Sequence, residues 1–310
     1  MHSHKLDHSL RILATDGLDK DAVAALEADG YEVVQQFYEE EDLKQKVREF
    51  DVLVVRSATK VRQAVIDSAA ESGRLQLIIR GGVGMDNIDV EYAREKGITV
   101  SNTPTASSAS VAELAIAHMF SLARFLYISN VTMREGKWEK KAYKGTELAG
   151  KTLGLIGMGK IARETASRAR GLGMHVVYTN RSGDIPDLPY EWKTLDELLE
   201  VSDYVSLHIP AKKDTPPLLD AEKIAMMKDG AFLINTARGV LVDSDALCDA
   251  LDSGHLAGAA IDVFTEEPCH DERLLNHPKI SLTPHIGAST KEAQKRIGEE
   301  IVKIIYGMFR

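Results

Sequence analysis

The chain has 310 residues, 44% of them apolar and 27% charged, a globular balance that on length alone suggests two domains. A formal net charge of −9, from 47 acidic and 38 basic side chains, argues against non-specific binding to nucleic acid or an anionic membrane. No apolar run reaches the roughly 18–20 residues of a membrane span, and Cys248 and Cys269 are the only cysteines, so a reducing cytoplasm without disulfides is expected.

The opening segment, MHSHKLDHSL, lacks the apolar core of a signal peptide. Its His2, His4 and His8 read as part of a mobile polar terminus rather than as metal ligands, and no metal site is expected. Short β-branched runs then alternate with amphipathic helical stretches, the pattern of parallel α/β sheets. RILATDG, YEVVQQF, DVLVVRS and LQLIIRGG read as strands, with DKDAVAALEADG as a helix between the first two. SSASVAELAIAHMFSLARFLYISNVTMREG carries apolar residues at spacings of three and four and reads as one long helical stretch.

A second series starts at Lys151. KTLGLIG, MHVVYTN, YVSLHIP, AFLINTARG, AGAAIDVF and ISLTPHIG are its strands, and GKIARETASRARGLG, TLDELLEVS and DSDALCDALDSG its helices. The middle of the chain thus reads as one complete nucleotide-binding domain. The first hundred residues form a smaller α/β domain to which the closing helix, TKEAQKRIGEEIVKIIYGMF, is expected to return. A domain interrupted in this way implies a cleft between the halves, a common place for a ligand.

Between the first strand and helix of that second series lies Gly157-Met158-Gly159-Lys160-Ile161-Ala162, a G-x-G-x-x-A turn. Gly157 permits the tight turn, Gly159 lets the backbone approach a pyrophosphate, and Ala162 lets the helix pack close to the strand. The helix start adds free N–H groups and a positive dipole end. A carboxylate for the adenosine ribose is expected about 20 residues on. Asn180, Arg181 and Ser182 stand there instead. Either other groups hold the ribose hydroxyls, as in an NAD site, or Arg181 with Asn180 and Ser182 accepts the 2′-phosphate of NADP; the residues alone leave both open.

Three further strands end in residues that carry chemistry. Arg238 lies in NTARG, Glu267 in DVFTEEP and His285 in TPHIG. An imidazole titrates near neutrality and can pass a proton to and from a hydroxyl. A carboxylate beside it favours its charged form, and a guanidinium can grip a carboxylate through two parallel hydrogen bonds. The three together suit hydride transfer to or from a 2-hydroxy acid.

With GGVGMDNID, GKWEKKAYKGTELAGKTLGLIGMGKIARE, NTARGVLVDSDAL, HLAGAAIDVFTEEP and TPHIGASTKEAQKRIGEEI, the chain resembles the D-isomer-specific 2-hydroxyacid dehydrogenases from about Arg11 to its end. Within them it is most similar to the members that oxidise 3-phosphoglycerate. The resemblance implies two Rossmann-like or flavodoxin-like α/β domains, with an NAD(P)-binding domain at 105–286 inserted into a discontinuous substrate domain at 1–104 and 287–310. It places the catalytic roles on Arg238, Glu267 and His285. Cofactor contacts are implied at Gly157, Gly159, Lys160, Ile161, Asn180, Ile209, Thr236, Ala237, Arg238, Asp262, His285, Gly287 and Ala288, with Arg181 and Ser182 beside them.

Substrate contacts are implied at Arg56, Ser57 and the loop Gly81, Gly82, Val83 and Gly84. A phosphorylated substrate needs further positive charge, for which Lys60, Arg62, Arg80, Lys140 and Lys141 are available, Arg56 and Lys141 above the others, the lysine reaching the site from a partner subunit. The family further implies a homodimer formed through the nucleotide-binding domain, with the apolar 107–130 stretch contributing. Asn180 departs from the acidic ribose ligand usual in the family. The sequence ends at Arg310 without the regulatory domains of many phosphoglycerate dehydrogenases, so feedback by serine is not expected. The implied reaction is oxidation of 3-phosphoglycerate in serine synthesis. The alternatives are an NADPH-dependent glyoxylate or hydroxypyruvate reductase and a cofactor-sensing protein like the corepressors that share this fold.

Overall fold

A computed structural model of the protein describes residues 9–211 and 214–310; His2, His4 and His8 lie outside them. The chain divides into two compact units, one running to Ser107 and resuming at Ala288–Arg310, the other spanning Ser108–Gly287.

The first unit is built on strands β1 (Arg11–Ala14), β2 (Glu32–Gln35), β3 (Val52–Val55), β4 (Leu77–Arg80) and β5 (Thr99–Asn102). All pair in parallel, in the order β2-β1-β3-β4-β5. Helices α1 (Lys20–Ala28), α2 (Glu40–Lys46), α3 (Gln63–Ser72), α4 (Val90–Glu95) and α12 (Lys291–Phe309) cover it. Every residue of β3 and β4 is buried, as a strand with both faces covered requires. Alternate side chains divide between the faces. Ile12, Val52, Val54, Leu77 and Ile79 pack with Ile297, Ile301 and Ile305 of α12, which recur every fourth residue and so form one stripe. Leu13, Leu53, Val55 and Ile78 pack on the opposite face with Val65, Ile66 and Ala69 of α3. Helices α2, α3 and α4 and strand β5 were not expected from the sequence; α2 buries a single leucine and β5 has one buried residue, too little pattern to stand out.

The second unit holds β6 (Thr152–Ile156), β7 (His175–Thr179), β8 (Glu191–Trp192), β9 (Tyr204–Leu207), β10 (Ala231–Asn235), β11 (Leu256–Ile261) and β12 (Ile280–Leu282). They form one parallel sheet ordered β12-β11-β10-β9-β6-β7-β8. Its helices are α5 (Ser108–Arg124), α6 (Leu126–Arg134), α7 (Lys160–Gly171), α8 (Leu195–Val201), α9 (Ala221–Ala225), α10 (Ser244–Asp252) and α11 (Glu272–Leu275). On one face α5 and α7 bury Ala115, Met119, Leu122, Ala162, Ala166 and Ala169 against Leu153, Leu155, Tyr178 and Ile234. On the other, Leu198, Leu247 and Leu251 pack on Val205, Leu207 and Leu233. The strand order reverses between β6 and β9. In open parallel sheets, ligands bind outside the carboxyl ends of the strands at such a point.

The long helical stretch expected over 107–136 is two helices, bent by 63° at Phe125. Phe125 is left-handed, with φ 54. The Ala123 carbonyl accepts from the backbone N–H of Thr146 at 3.0 Å, and the Phe125 ring lies 5.8 Å from that of Tyr143. A returning segment thus takes over a carbonyl that a continuous helix would have bonded internally.

Candidate active site

The glycine turn joins β6 to α7. Gly157 has φ 101, and a Cβ there would lie 2.5 Å from the carbonyl oxygen of His208, so no other residue fits. Its N–H donates to the Thr179 carbonyl at 2.9 Å, tying the turn to β7. Gly159 stands before α7 with open space where a Cβ would be, and no side chain caps the helix start. Lys160 and Ile161 begin the helix, exposed and half-buried respectively, and Ala162 is fully buried. Two buried oxygens at the same carboxyl edge, Asn180 Oδ1 and Thr236 Oγ1, have no hydrogen-bond partner among the described residues. An orphaned buried polar atom costs about 1–3 kcal/mol, which a ligand offering hydrogen bonds can recover. The turn, the open helix start and these atoms fit a dinucleotide.

No carboxylate stands at positions 180–182, directly after β7. Asn180 is half-buried, while Arg181 and Ser182 are exposed in a turn. The nearby Asp184 accepts from the hydroxyl of Tyr178 at 2.9 Å, which in turn accepts from the Ile185 N–H at 2.8 Å. That acid is therefore spent on shaping its own loop. Ile209 follows β9, with its side chain against the glycine turn.

The residues after β10, β11 and β12 interlock. Asn235 folds back, accepting from the Ala237 N–H at 3.0 Å and donating to the Arg238 carbonyl at 2.9 Å. The half-buried Arg238 donates from Nη1 to the Ala237 carbonyl at 2.6 Å. Gly239 comes next, and a Cβ there would sit 2.0 Å from the carbonyl carbon of Phe264; only glycine lets the two loops touch. Glu267, followed by a cis bond to Pro268, accepts from the Phe264 N–H at 3.1 Å through Oε1. Its Oε2 lies 2.7 Å from His285 Nδ1. Partial burial pushes the Glu267 pKa up, but the hydrogen bond and charge of His285, the Phe264 N–H and the charge of Arg238 outweigh this and leave it below the ordinary value. Glu267 is thus an acceptor, so Nδ1 carries the proton and Nε2 is the exchangeable nitrogen.

His285 has φ 52, a left-handed conformation uncommon for any residue but glycine. Such strain, of order 1–3 kcal/mol, persists only where the surroundings over-determine it. Here Asp262, 1% exposed, does so. Its carbonyl accepts from the His285 N–H at 2.9 Å. Its carboxylate accepts from the N–H groups of Ile286 at 2.9 Å and Gly287 at 3.0 Å, and from the Thr283 hydroxyl at 2.7 Å. Asp262, expected as a cofactor contact, has its observed hydrogen bonds in the loop that carries His285. Behind Thr283 stands His118 of α5, with Nε2 2.9 Å from the threonine hydroxyl and Nδ1 3.1 Å from that of Ser281. Asp262's role in the loop, Gly239, Thr283 and His118 were missed in the sequence. The available signal for His118 was a histidine in the apolar run of a helix, where Ala115, Met119 and Leu122 are buried around it.

In the first unit Arg56 and Ser57 follow β3, and the Gly81–Gly84 loop follows the adjacent β4. The N–H groups of Arg56 and Thr59 donate to Asp16 at 2.7 and 3.0 Å, and Asn87 donates to the Arg56 carbonyl at 2.6 Å. The main chain is thus pinned. Burial lowers the pKa of the Arg56 guanidinium, Asp16 partly offsetting this, and it makes no hydrogen bond or ion pair among the described residues. Of the other cations expected near the substrate, Arg62 is committed to Asp89 at 2.9 Å, and Arg80 donates to the Gly81 carbonyl at 2.9 Å. Lys140 and Lys141 are exposed beyond Trp138 in the second unit, and Ala288 lies just past that unit's end.

A doubly wound parallel sheet with a glycine turn at its switch point and an Arg, Glu and His at neighbouring strand ends defines a nicotinamide-dependent oxidoreductase. Residues 116–287 match the family model of the D-isomer specific 2-hydroxyacid dehydrogenase NAD binding domain. The chain is 47% identical over 300 residues to a hydroxypyruvate reductase of Thermotoga maritima, covering 96% of this chain and 97% of that one. It is 43% identical over 311 residues to a D-3-phosphoglycerate dehydrogenase of Methanocaldococcus jannaschii, covering 96% of this chain but 58% of the relative. Among solved structures it is similar to an NADPH-dependent glyoxylate/hydroxypyruvate reductase from Sinorhizobium meliloti in complex with NADP and malonate, with a TM-score of 0.85, 28% identity and coverage of 97% and 94%. The chain belongs to the D-isomer-specific 2-hydroxyacid dehydrogenases.

Proposed function

We propose that the protein reduces a small 2-keto acid of the hydroxypyruvate and glyoxylate class to the D-2-hydroxy acid, with NADPH preferred over NADH. The observation that carries the chemistry is the 2.7 Å pair between Glu267 and His285, beside the charge of Arg238. A nicotinamide held at the glycine turn and the β10–β12 strand ends would supply or take the hydride at the substrate C2. Arg238 holds the substrate carboxylate and polarises the adjacent carbonyl. His285 donates its Nε2 proton to the carbonyl oxygen as that oxygen becomes a hydroxyl, and takes it back in oxidation. Glu267 fixes the ring and stabilises the imidazolium.

NADPH is supported by the exposed Arg181 at the end of β7, where no carboxylate stands to repel a 2′-phosphate. Gly157, Gly159, Lys160 and Ile161 would hold the pyrophosphate at the uncapped start of α7. The hydroxypyruvate class is supported by the relative matched over 97% of its length, and by Arg62 and Arg80 already having partners. A second reading, 3-phosphoglycerate oxidation in serine synthesis, is favoured by Arg56, a half-buried guanidinium with no hydrogen bond or ion pair among the described residues. A homodimer formed through the second unit is supported by exposed Phe120, Leu126, Val131, Met133 and Trp138.

Steady-state kinetics with hydroxypyruvate, glyoxylate and 3-phosphohydroxypyruvate, each against both reduced cofactors, test this reading. Hydroxypyruvate with NADPH should give the highest kcat/KM. If 3-phosphohydroxypyruvate with NADH exceeds it, the second reading replaces the first.

A further inference from the structure

Beneath the acid–base pair a chain of polar groups, buried at His118 and Ser281, runs from α5 to the His285 loop. Ser121 Oγ lies 3.2 Å from Ser281 Oγ, which lies 3.1 Å from His118 Nδ1; His118 Nε2 lies 2.9 Å from Thr283 Oγ1, and Thr283 donates to Asp262 Oδ1 at 2.7 Å. The proton positions follow from one fixed end. Thr283 has a single hydroxyl proton, given to Asp262, so toward His118 it can only accept. Nε2 therefore carries the imidazole proton, Nδ1 accepts from Ser281, and Ser281 accepts from Ser121. Burial, at 3% exposure, pushes the His118 pKa down, with Asp262 opposing, in keeping with a neutral ring.

We propose that His118 is a positioning residue for the reaction: it locks the Thr283 hydroxyl onto Asp262, and Asp262 holds the left-handed turn that presents His285. This rests on His285 being the acid–base group. The link is specific because Asp262 Oδ1 accepts from both the Thr283 hydroxyl and the Ile286 N–H, while the Asp262 carbonyl accepts from His285 itself. Removing the imidazole leaves the threonine hydroxyl free to rotate away, and Asp262 then holds the loop through fewer bonds. An apolar side chain of similar size would fill the space but could not orient the hydroxyl.

The test compares His118→Leu, His118→Gln and Thr283→Val in the full-length protein, with hydroxypyruvate and NADPH. His118→Leu and Thr283→Val should each lower kcat roughly 10- to 100-fold, the scale of a small misplacement of a reacting group. KM for the keto acid and Kd for NADPH should move by no more than about 3-fold. His118→Gln, whose amide N–H can still donate to Thr283, should recover most of kcat, and the Leu/Val double variant should lose no more than either single one. Wild-type kcat in His118→Leu, or equal losses in the Gln and Leu variants, would overturn the proposal. If His118→Leu does not fold, Thr283→Val carries the same prediction. His285→Ala run alongside separates the two readings: an active His285→Ala removes the acid–base assignment, whereas an inactive one beside a fully active His118→Leu removes only the role of His118.

Discussion

Two corners of the same sheet edge are built in opposite ways. At the ends of β10, β11 and β12, the protein itself fixes its functional side chains: Glu267 is hydrogen-bonded at both oxygens, Asp262 holds three successive N–H groups, and Gly239 is wedged against Phe264. At the end of β7, Arg181 and Ser182 are exposed in a turn and Asn180 Oδ1 is buried without a partner among the described residues. The first corner is organised before anything binds, as placing a proton within hydrogen-bonding reach of a reacting oxygen requires. The second leaves a buried oxygen and an exposed guanidinium with hydrogen-bonding capacity for a ligand to take. Changes at the first should therefore lower kcat, and changes at the second should alter which cofactor is used.

The largest effect should come from His285→Ala. A general acid–base group contributes about 10²- to 10⁴-fold, so kcat should fall by that range while NADPH binding, followed by fluorescence titration, stays within about 2-fold. A near-wild-type rate would mean that the preorganised corner is not the reacting one. Gly239→Ala should come next. Its Cβ would meet the backbone of Phe264 at 2.0 Å, where no side-chain rotation can relieve the contact. Overpacking of this kind costs about 1–3 kcal/mol, visible as a lower Tm. The displaced Arg238 and Glu267 should also reduce kcat. Unchanged Tm and kcat would show that the two loops can separate freely.

The contrast also accounts for what the sequence disclosed. Gly157, Arg238, Glu267 and His285 stand in short strand–turn strings whose residue types already declare a chemistry. The supports do not: His118 meets Ser281 and Thr283 across 163 and 165 residues of chain, a pairing that only the packed sheet creates. The same holds for the break at Phe125, which depends on the 145–146 segment reaching Ala123. Lys and Arg counts near the strands suggested phosphate contacts, yet Arg62 had found Asp89 27 residues away. Local strings suggest which groups could act; long-range pairing shows which of them are already engaged.

Smaller effects should appear at the β7 corner. Arg181→Ala should raise KM for NADPH about 10-fold, the value of one charged hydrogen bond of roughly 1.5–3 kcal/mol at its lower end, and leave NADH kinetics unchanged. Asn180→Asp should favour NADH, because a carboxylate can hold the ribose hydroxyls and repels a 2′-phosphate. Equal losses with both cofactors in Arg181→Ala would remove the 2′-phosphate from this corner and weaken the comparison.

The smallest effect concerns stability and asks whether protein-fixed structure extends beneath the cofactor side as well. His208 follows β9; its carbonyl oxygen meets the space where a Gly157 side chain would stand, and its Nε2 lies 2.8 Å from Ser206 Oγ. Burial pushes its pKa from 6.5 down to about 4. The sign follows from proton binding: between those values the unfolded chain holds a proton that the folded ring does not, so stability rises with pH through that window. The penalty is absent above about pH 6.5, the ordinary value, and grows as pH falls toward about 4. Tm measured from pH 7 to pH 4 should therefore fall less steeply for His208→Gln than for the wild type. Part of the slope should remain, because burial also lowers the His118 pKa, with Asp262 opposing. Identical slopes would place the His208 ring in water, leaving the glycine turn supported by backbone contacts alone.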